Sequence, residues 1–239
     1  MKYLELTCKA YLKRDINFKE SFEAIAKYIS FSMAKDILLK EFHNSKNYKF
    51  YVFNNFYPIE QDKTYKANQT YTFKIRSLHE GFLIALEKTL RANINNPNFL
   101  VVETKNKTIN QTFIQELYSV TPVITTVQKG LYCTINKDGD ILKLQRLLQD
   151  NLEKKYQTFF NQKIIPKQNF IQLLELKNQK PQSIWSSKDG KSFRFLGNKF
   201  KIIPNEDEIS QKLAFIALGS GLGEKNSFGG GFCLAKGIK

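Results

Sequence analysis

Twice along the chain the apolar pattern reads strand, helix, strand, strand, helix, strand, and this repetition narrows the fold more than any other feature of its 239 residues. The first copy opens with a strand over 2–13, where Tyr3, Glu5 and Thr7 alternate with Leu4, Leu6 and Cys8. A period of two is what a sheet with one buried face requires. A helix over 18–39 follows, with Phe22, Ile25, Ala26, Ile29, Met33 and Ile37 along one side. Segments 48–57 and 70–76 are dense in Tyr, Phe, Val and Thr and read as strands. Ser77-Leu78-His79-Glu80 has the form of a capping box and predicts a helix to about 92, after which 99–103 closes the copy as a strand. The second copy has β-rich sequence over 119–135, a helix over 140–161 and strands at 170–178 and 192–203. A helix over 206–218, its start marked by Asn205-Glu206-Asp207-Glu208, then leads to a closing strand from Phe232. The chain is therefore expected to be α+β, with two tandem ferredoxin-like βαββαβ domains over 1–113 and 114–239 and a junction inside 104–118.

Charge points to the ligand. Lys and Arg number 37 against 22 Asp and Glu, a net charge of +15, and only five of the cations are arginines. Lysine is a mobile point charge suited to a phosphate backbone, whereas arginine gives planar base readout. Nucleic acid is the expected partner, and βαββαβ is also the topology of RNA-recognition domains. The stretch 219–231 holds six of the twelve glycines. Glycine takes positive φ freely and lets backbone N–H groups approach a phosphate, so Gly221, Gly223, Lys225, Gly229 and Gly231 are the expected nucleic-acid contacts. The loop lacks GxxxxGK[ST] and runs from helix to strand, the reverse of nucleotide-binding loops, which argues against ATP or NAD. Lys188, Lys191, Arg194, Lys199 and Lys201 crowd the region near 192–203 and read as a second RNA-gripping face, with Trp185 before them as a buried anchor. No metal-ligand spacing is present, so neither metal nor cofactor is expected. Cys8, Cys133 and Cys233 lie far apart and read as reduced, buried thiols. The N-terminus lacks a signal-peptide h-region and no run reaches the ~18 apolar residues of a membrane span. The expected location is cytoplasmic, with no membrane partner.

Gly221-Leu222-Gly223, five residues, then Gly229-Gly230-Gly231 resembles the C-terminal G-h-G-x5-G-h-G loop of the CRISPR-associated endoribonucleases, which cut CRISPR repeat transcripts into guide RNAs. Gly230 departs from that pattern, which usually has a hydrophobic residue there. Members of this family are built from two ferredoxin-like domains. Many carry a tyrosine on the first helix, a histidine after it and a lysine downstream; Tyr28, His43 and Lys49 stand at similar positions, followed by the aromatic run Tyr48-Lys49-Phe50-Tyr51-Val52-Phe53. The resemblance implies metal-independent cleavage of repeat RNA, in which a ribose 2′-OH attacks the adjacent phosphate and leaves 2′,3′-cyclic phosphate and 5′-OH ends. In that scheme His43 moves the proton, Tyr28 orients the reacting hydroxyls and Lys49 stabilises the phosphorane. The implied partners are repeat RNA and an interference effector complex; a homodimer stays open.

The residues themselves allow these roles. Only two histidines exist, and His43 lies in a polar stretch at a helix end, open either to proton transfer or to capping that helix. His79 reads as a packing residue. Tyr28 falls off the apolar stripe of its helix and is expected to face a cleft shared with His43. A non-catalytic protein that holds guide RNA remains the alternative, whereas a general RNA-recognition module is disfavoured because 49–53 lacks the glycine of its signature.

Overall fold

Alternation along β1 (Lys2–Leu12) places Leu4, Leu6, Cys8, Ala10 and Leu12 in the core of the first half. The computed structural model describes residues 1–45 and 47–237. A two-residue strand β2 (Ile16–Asn17) leads into α1 (Phe18–Met33), which the Asn17 side chain caps by accepting from the Lys19 N–H. The helix expected over 18–39 is two helices. It stops at Ala34, and Asp36 starts α2 (Ile37–Asn44) by accepting from the Leu39 N–H at 3.0 Å. The apolar period runs across the break, so periodicity alone could not reveal it. Strands β3 (Tyr51–Phe53), β4 (Thr64–Tyr65) and β5 (Thr70–Ser77) follow, then α3 (Glu80–Arg91) and β6 (Phe99–Asn110). The expected capping box does not form. Ser77 is still a β5 residue whose hydroxyl donates to Phe50 O and accepts from His79 N, while Glu80 pairs with Lys2 at 2.9 Å. The sheet order β3-β5-β1-β6, antiparallel throughout, is ferredoxin-like.

The second half begins with β7 (Ile114–Ser119), so β6 fills much of the stretch expected as a junction. A small hairpin of β8 (Thr126–Gln128) and β9 (Leu131–Tyr132), a turn of helix α4 (Ile135–Asp138) and the long α5 (Ile141–Phe160) come next. Then β10 (Ile171–Leu176), β11 (Gln182–Lys188), β12 (Lys191–Gly197) and β13 (Phe200–Pro204) lead to α6 (Glu208–Ser220), a 3₁₀ turn (Asn226–Phe228) and β14 (Cys233–Gly237). The strand expected over 192–203 is thus divided. Asp189 and Gly190, both at positive φ, close a hairpin of β11 and β12, and β13 starts afresh at Phe200. The second sheet, β10-β13-β7-β14, repeats the order of the first, and the molecule is α+β with two ferredoxin-like units.

The halves interlock. From α6, Leu213 to Ser220 are all buried, because this helix packs on β1, β3 and β5 as well as on its own sheet; a helix apolar on every side needs such cover. The β11–β12 hairpin in turn lies along α1 and adds Ile184 and Phe195 to the first core. Where the halves meet, Arg76 is buried with Nε 2.7 Å from Glu5 Oε2, one guanidinium N donating to Cys233 O at 2.5 Å, and its plane near the Phe232 ring. Cys8, Cys133 and Cys233 are buried thiols. No helix among the described residues is long and apolar enough to cross a membrane.

Candidate functional site

Helix α2 ends at Asn44, and the chain turns back through residues 47–50 into β3 beside the glycine loop of the other half. The exposed C-terminal carbonyls of α2 need donors, and Lys49 supplies them. Its ammonium lies 2.7 Å from Phe42 O, 2.8 Å from His43 O and 2.5 Å from Ser45 O. His43 is in the last turn of α2, exposed, rather than in a loop after it. Partial burial and then the nearby Lys49 charge hold the imidazole below the ordinary histidine pKa. The structure therefore brings His43 and Lys49 together, but the hydrogen-bonding hydrogens of Lys49 are used on the end of α2.

Tyr28 is not with them. It is fully buried, stacked on Phe99, and its hydroxyl donates toward Leu90 O (2.8 Å) and Asn93 O (3.2 Å) and accepts from the Val101 N–H. Burial pushes its pKa up to about 12. Leu90 is near the C-terminal end of α3 whereas Phe42 of α2 meets Phe82 near its start, a separation of about 12 Å at 1.5 Å per residue. The expectation that Tyr28 faces a cleft shared with His43 is thus corrected: its off-stripe position points it between α3 and β6, not to solvent. His79 packs among Phe42, Phe50 and Phe159, a structural role as expected.

The glycine loop is a built object rather than a flexible cradle. Gly221, Gly223, Gly229 and Gly231 all have positive φ, and a Cβ would lie 2.5 Å from Phe22 at Gly229 and 1.9 Å from Leu222 O at Gly231. Gly230, the departure from the family pattern, has ordinary φ but would set a Cβ 3.0 Å from Glu224 O and 3.2 Å from Ile124; the floor here leaves little room for a side chain. The N–H groups of Gly221, Gly229 and Gly231 donate to Ala217, Asn226 and Pro122 carbonyls. These three glycines shape the loop and do not offer N–H groups to a ligand, contrary to expectation. Gly223 and Lys225 do face a cleft, together with Asn226 and Ser227. Among the described residues the N–H groups of these four have no partner.

That cleft has a volume of 520 Å³ and lies between the halves, with Tyr48 and Lys49 on one wall, Lys154 and Lys155 of α5 on another and residues 223–228 as the third. Lys154 is exposed and has no carboxylate partner among the described residues. The sequence reading missed Tyr48, Lys154, Lys155 and Asn226. Tyr48 and Asn226 stand beside Lys49 and Lys225, which could have flagged them, but nothing in the α5 sequence distinguishes its inward lysine from its outward ones. The other basic candidates are dispersed. Lys225 lies over Phe195 at 5.7 Å, and Arg194 lies over Trp185, which is half-buried rather than a fully buried anchor. Arg194 and Lys199 line a separate groove of 780 Å³ with Phe18, Phe56 and Tyr57. Burial holds the Lys199 ammonium below the usual lysine range. Lys188 and Lys191 are exposed and opposite one another on the hairpin, and Lys201 is paired with Glu116 at 2.9 Å on the second sheet, so the five residues do not form one face. No group of three or more His, Cys, Asp or Glu able to hold a metal occurs among the described residues.

Residues 104–234 match the family model of CRISPR associated protein Cas6, C-terminal. The CRISPR-associated endoribonuclease Cas6 2 of Methanocaldococcus jannaschii is 26% identical over 234 residues, covering 92% of this chain and 94% of that protein. Among solved structures, one described as CRISPR associated protein Cas6 superposes with a TM-score of 0.72 at 21% identity, covering 98% of this chain and 99% of that one. Another, described as an RAMP protein binding different RNA substrates, gives 0.69 at 14% identity, with the same coverage. These likenesses show the shared fold, and with more than half of its residues matched by the family model, the chain belongs to the Cas6 family.

Proposed function

We propose that this chain is a cytoplasmic endoribonuclease that cuts CRISPR repeat RNA into guide RNAs without a metal. The observation that carries the reading is the cleft between the halves, where unpartnered backbone N–H groups of Gly223, Lys225, Asn226 and Ser227 and the Lys154 side chain face the wall of Tyr48 and Lys49. The Lys49 ammonium in turn holds the carbonyl of His43, whose imidazole is kept below its ordinary pKa. The attacking 2′-OH belongs to the substrate, so the protein needs proton transfer, positioning and charge stabilisation. His43 serves as general base for the 2′-OH, and as the P–O5′ bond breaks the departing 5′ oxygen takes its proton from water. Gly223, Lys225, Asn226 and Ser227 hold the phosphate through N–H groups, and Lys154 and Lys225 offset its charge. Lys49 acts by fixing the end of α2 and by keeping His43 neutral. Outside the cleft, Lys191, Arg194 and Lys199 contact RNA flanking the cut.

A second reading, a protein that holds guide RNA without cutting it, is favoured by the burial of Tyr28 and by the engagement of Lys49 with the end of α2. Wild type and His43→Ala incubated with labelled repeat RNA in EDTA separate the two. Cyclic-phosphate and 5′-OH ends from wild type alone, with a loss of about 10²–10⁴-fold in the variant, are expected for the nuclease. Equal binding by both with no cutting by either establishes the holding protein instead.

A further inference from the structure

One buried charge beneath the cleft has no part in the scheme above. Lys155, in the second half of α5, is 2% exposed. Its Nζ lies 2.6 Å from Gly221 O, 3.0 Å from Gly223 O and 2.8 Å from Asn226 Oδ1. Three acceptors around one nitrogen match the three donors of an ammonium, which a neutral amine does not have. No carboxylate pairs with it among the described residues. The titratable groups that influence it are Cys233 and Glu224, and the Glu224 carboxylate is held by the Thr126 N–H and hydroxyl.

The same contacts set the direction of the loop. Lys155 draws the Gly221 and Gly223 carbonyls inward and holds Asn226 by its oxygen. The amide nitrogen of Asn226 then donates to Gly230 O at 2.8 Å and Leu222 O at 3.4 Å. In a trans peptide the N–H points opposite to the C=O, so pinning Leu222 O turns the Gly223 N–H toward the cleft. A methylene chain without the ammonium would leave two carbonyls and an amide oxygen unpaired in a buried place, which the loop can relieve only by turning them out.

We infer that Lys155 is the positioning residue of the RNA cleft, fixing Gly221, Gly223 and Asn226 so that the free Gly223 N–H meets the RNA, and setting a positive charge without a paired carboxylate beneath the bound phosphate. This inference rests on the reading that the cleft takes RNA. Burial pulls the ammonium down to about 7, with Cys233 and Glu224 working in the other direction. A phosphate above it favours the charged form, so RNA binding takes up a proton above neutrality and weakens as pH rises.

The test uses repeat RNA with a 2′-deoxy nucleotide at the cleavage position, which binds but cannot be cut. Its Kd is measured for wild type, Lys155→Met and Lys155→Arg between about pH 6.5 and 9, with melting curves for each protein. Wild type is expected to lose affinity above neutrality by up to about tenfold per pH unit, the slope of one proton taken up. Lys155→Met is expected to bind about tenfold more weakly at neutral pH with a flatter profile. Lys155→Arg, which stays charged, should recover affinity without the pH dependence. Calorimetry of wild type at pH 8 in HEPES and in Tris needs no variant: a buffer-dependent heat from proton uptake supports the inference, and none overturns it. A Lys155→Met protein with wild-type affinity and pH profile overturns the Lys155 role alone. Wild type that fails to bind the RNA overturns the RNA reading of the cleft, and this inference with it.

Discussion

His43 owes its charge state to two neighbours of different kinds: the protein atoms that partly cover it and the ammonium of Lys49. Both disfavour the imidazolium, so the ring stays neutral at pH 7 and can accept a proton. A lowered pKa means that the base form survives until the pH falls through that lowered value. The acid limb of kcat/KM for repeat cleavage is therefore expected below the unperturbed ~6.5 of histidine. Profiles from about pH 5 to 8 check this, and Lys49→Met should move the limb upward by removing one of the two effects. A limb that stays where it is in Lys49→Met would sink the coupling of the two residues. The same pair shows what residue spacing can and cannot reveal. Family spacing selected His43 and Lys49 as neighbours, which they are, and it also selected Tyr28, whose hydroxyl is instead spent on three backbone groups of α3 and β6.

At the scale of the element, the glycine loop is defined by what surrounds it. Gly231→Ala would set a methyl 1.9 Å from Leu222 O at a φ of +70°. The strain of the left-handed conformation and the overpacking together are expected to cost about 2–4 kcal/mol, read as a lowered melting midpoint together with weakened RNA affinity. An unchanged midpoint would contradict the packing described. The glycine spacing was legible in the sequence, but its use was only half legible. Positive φ can be inferred from glycine, whereas whether the N–H groups of Glu224 and Gly231 face solvent depends on Ile124 and Pro122, which no local pattern connects to the loop. Other misses were local. Asp189-Gly190 between β-rich runs is a hairpin signal in its own right, and it marks the turn where one strand had been expected to start. Asp36 before Ile37 is an N-cap signal that the unbroken apolar stripe of α1 and α2 overrode. The repeated βαββαβ order was the readable part, because burial of one sheet face imposes its period along every strand regardless of which partner it meets.

Across the whole molecule, the junction depends on one buried ion pair. Burial works against the Glu5 charge, but Arg76 and Lys74 outweigh it and hold the carboxyl below its ordinary value. The stability this gives is present above the unfolded glutamate pKa of ~4.3 and is lost as pH falls through the lower folded value. Arg76→Met leaves Glu5 buried with Lys74 alone and is expected to cost about 3–5 kcal/mol, measured by denaturant melts at neutral pH; a loss under 1 kcal/mol would show that the pair matters little. The walls of the loop come from both halves: Phe22 and Phe53 from one, Ile124 and Lys155 from the other. Residues 221–231 leave the ribosome after every one of those walls, and they can settle only once both sheets have folded and met. The cleft therefore comes into being only after both halves have folded and met. A nascent or half-folded chain, however basic, lacks the shape to engage a transcript productively, so the order of assembly itself withholds the site until the molecule is whole.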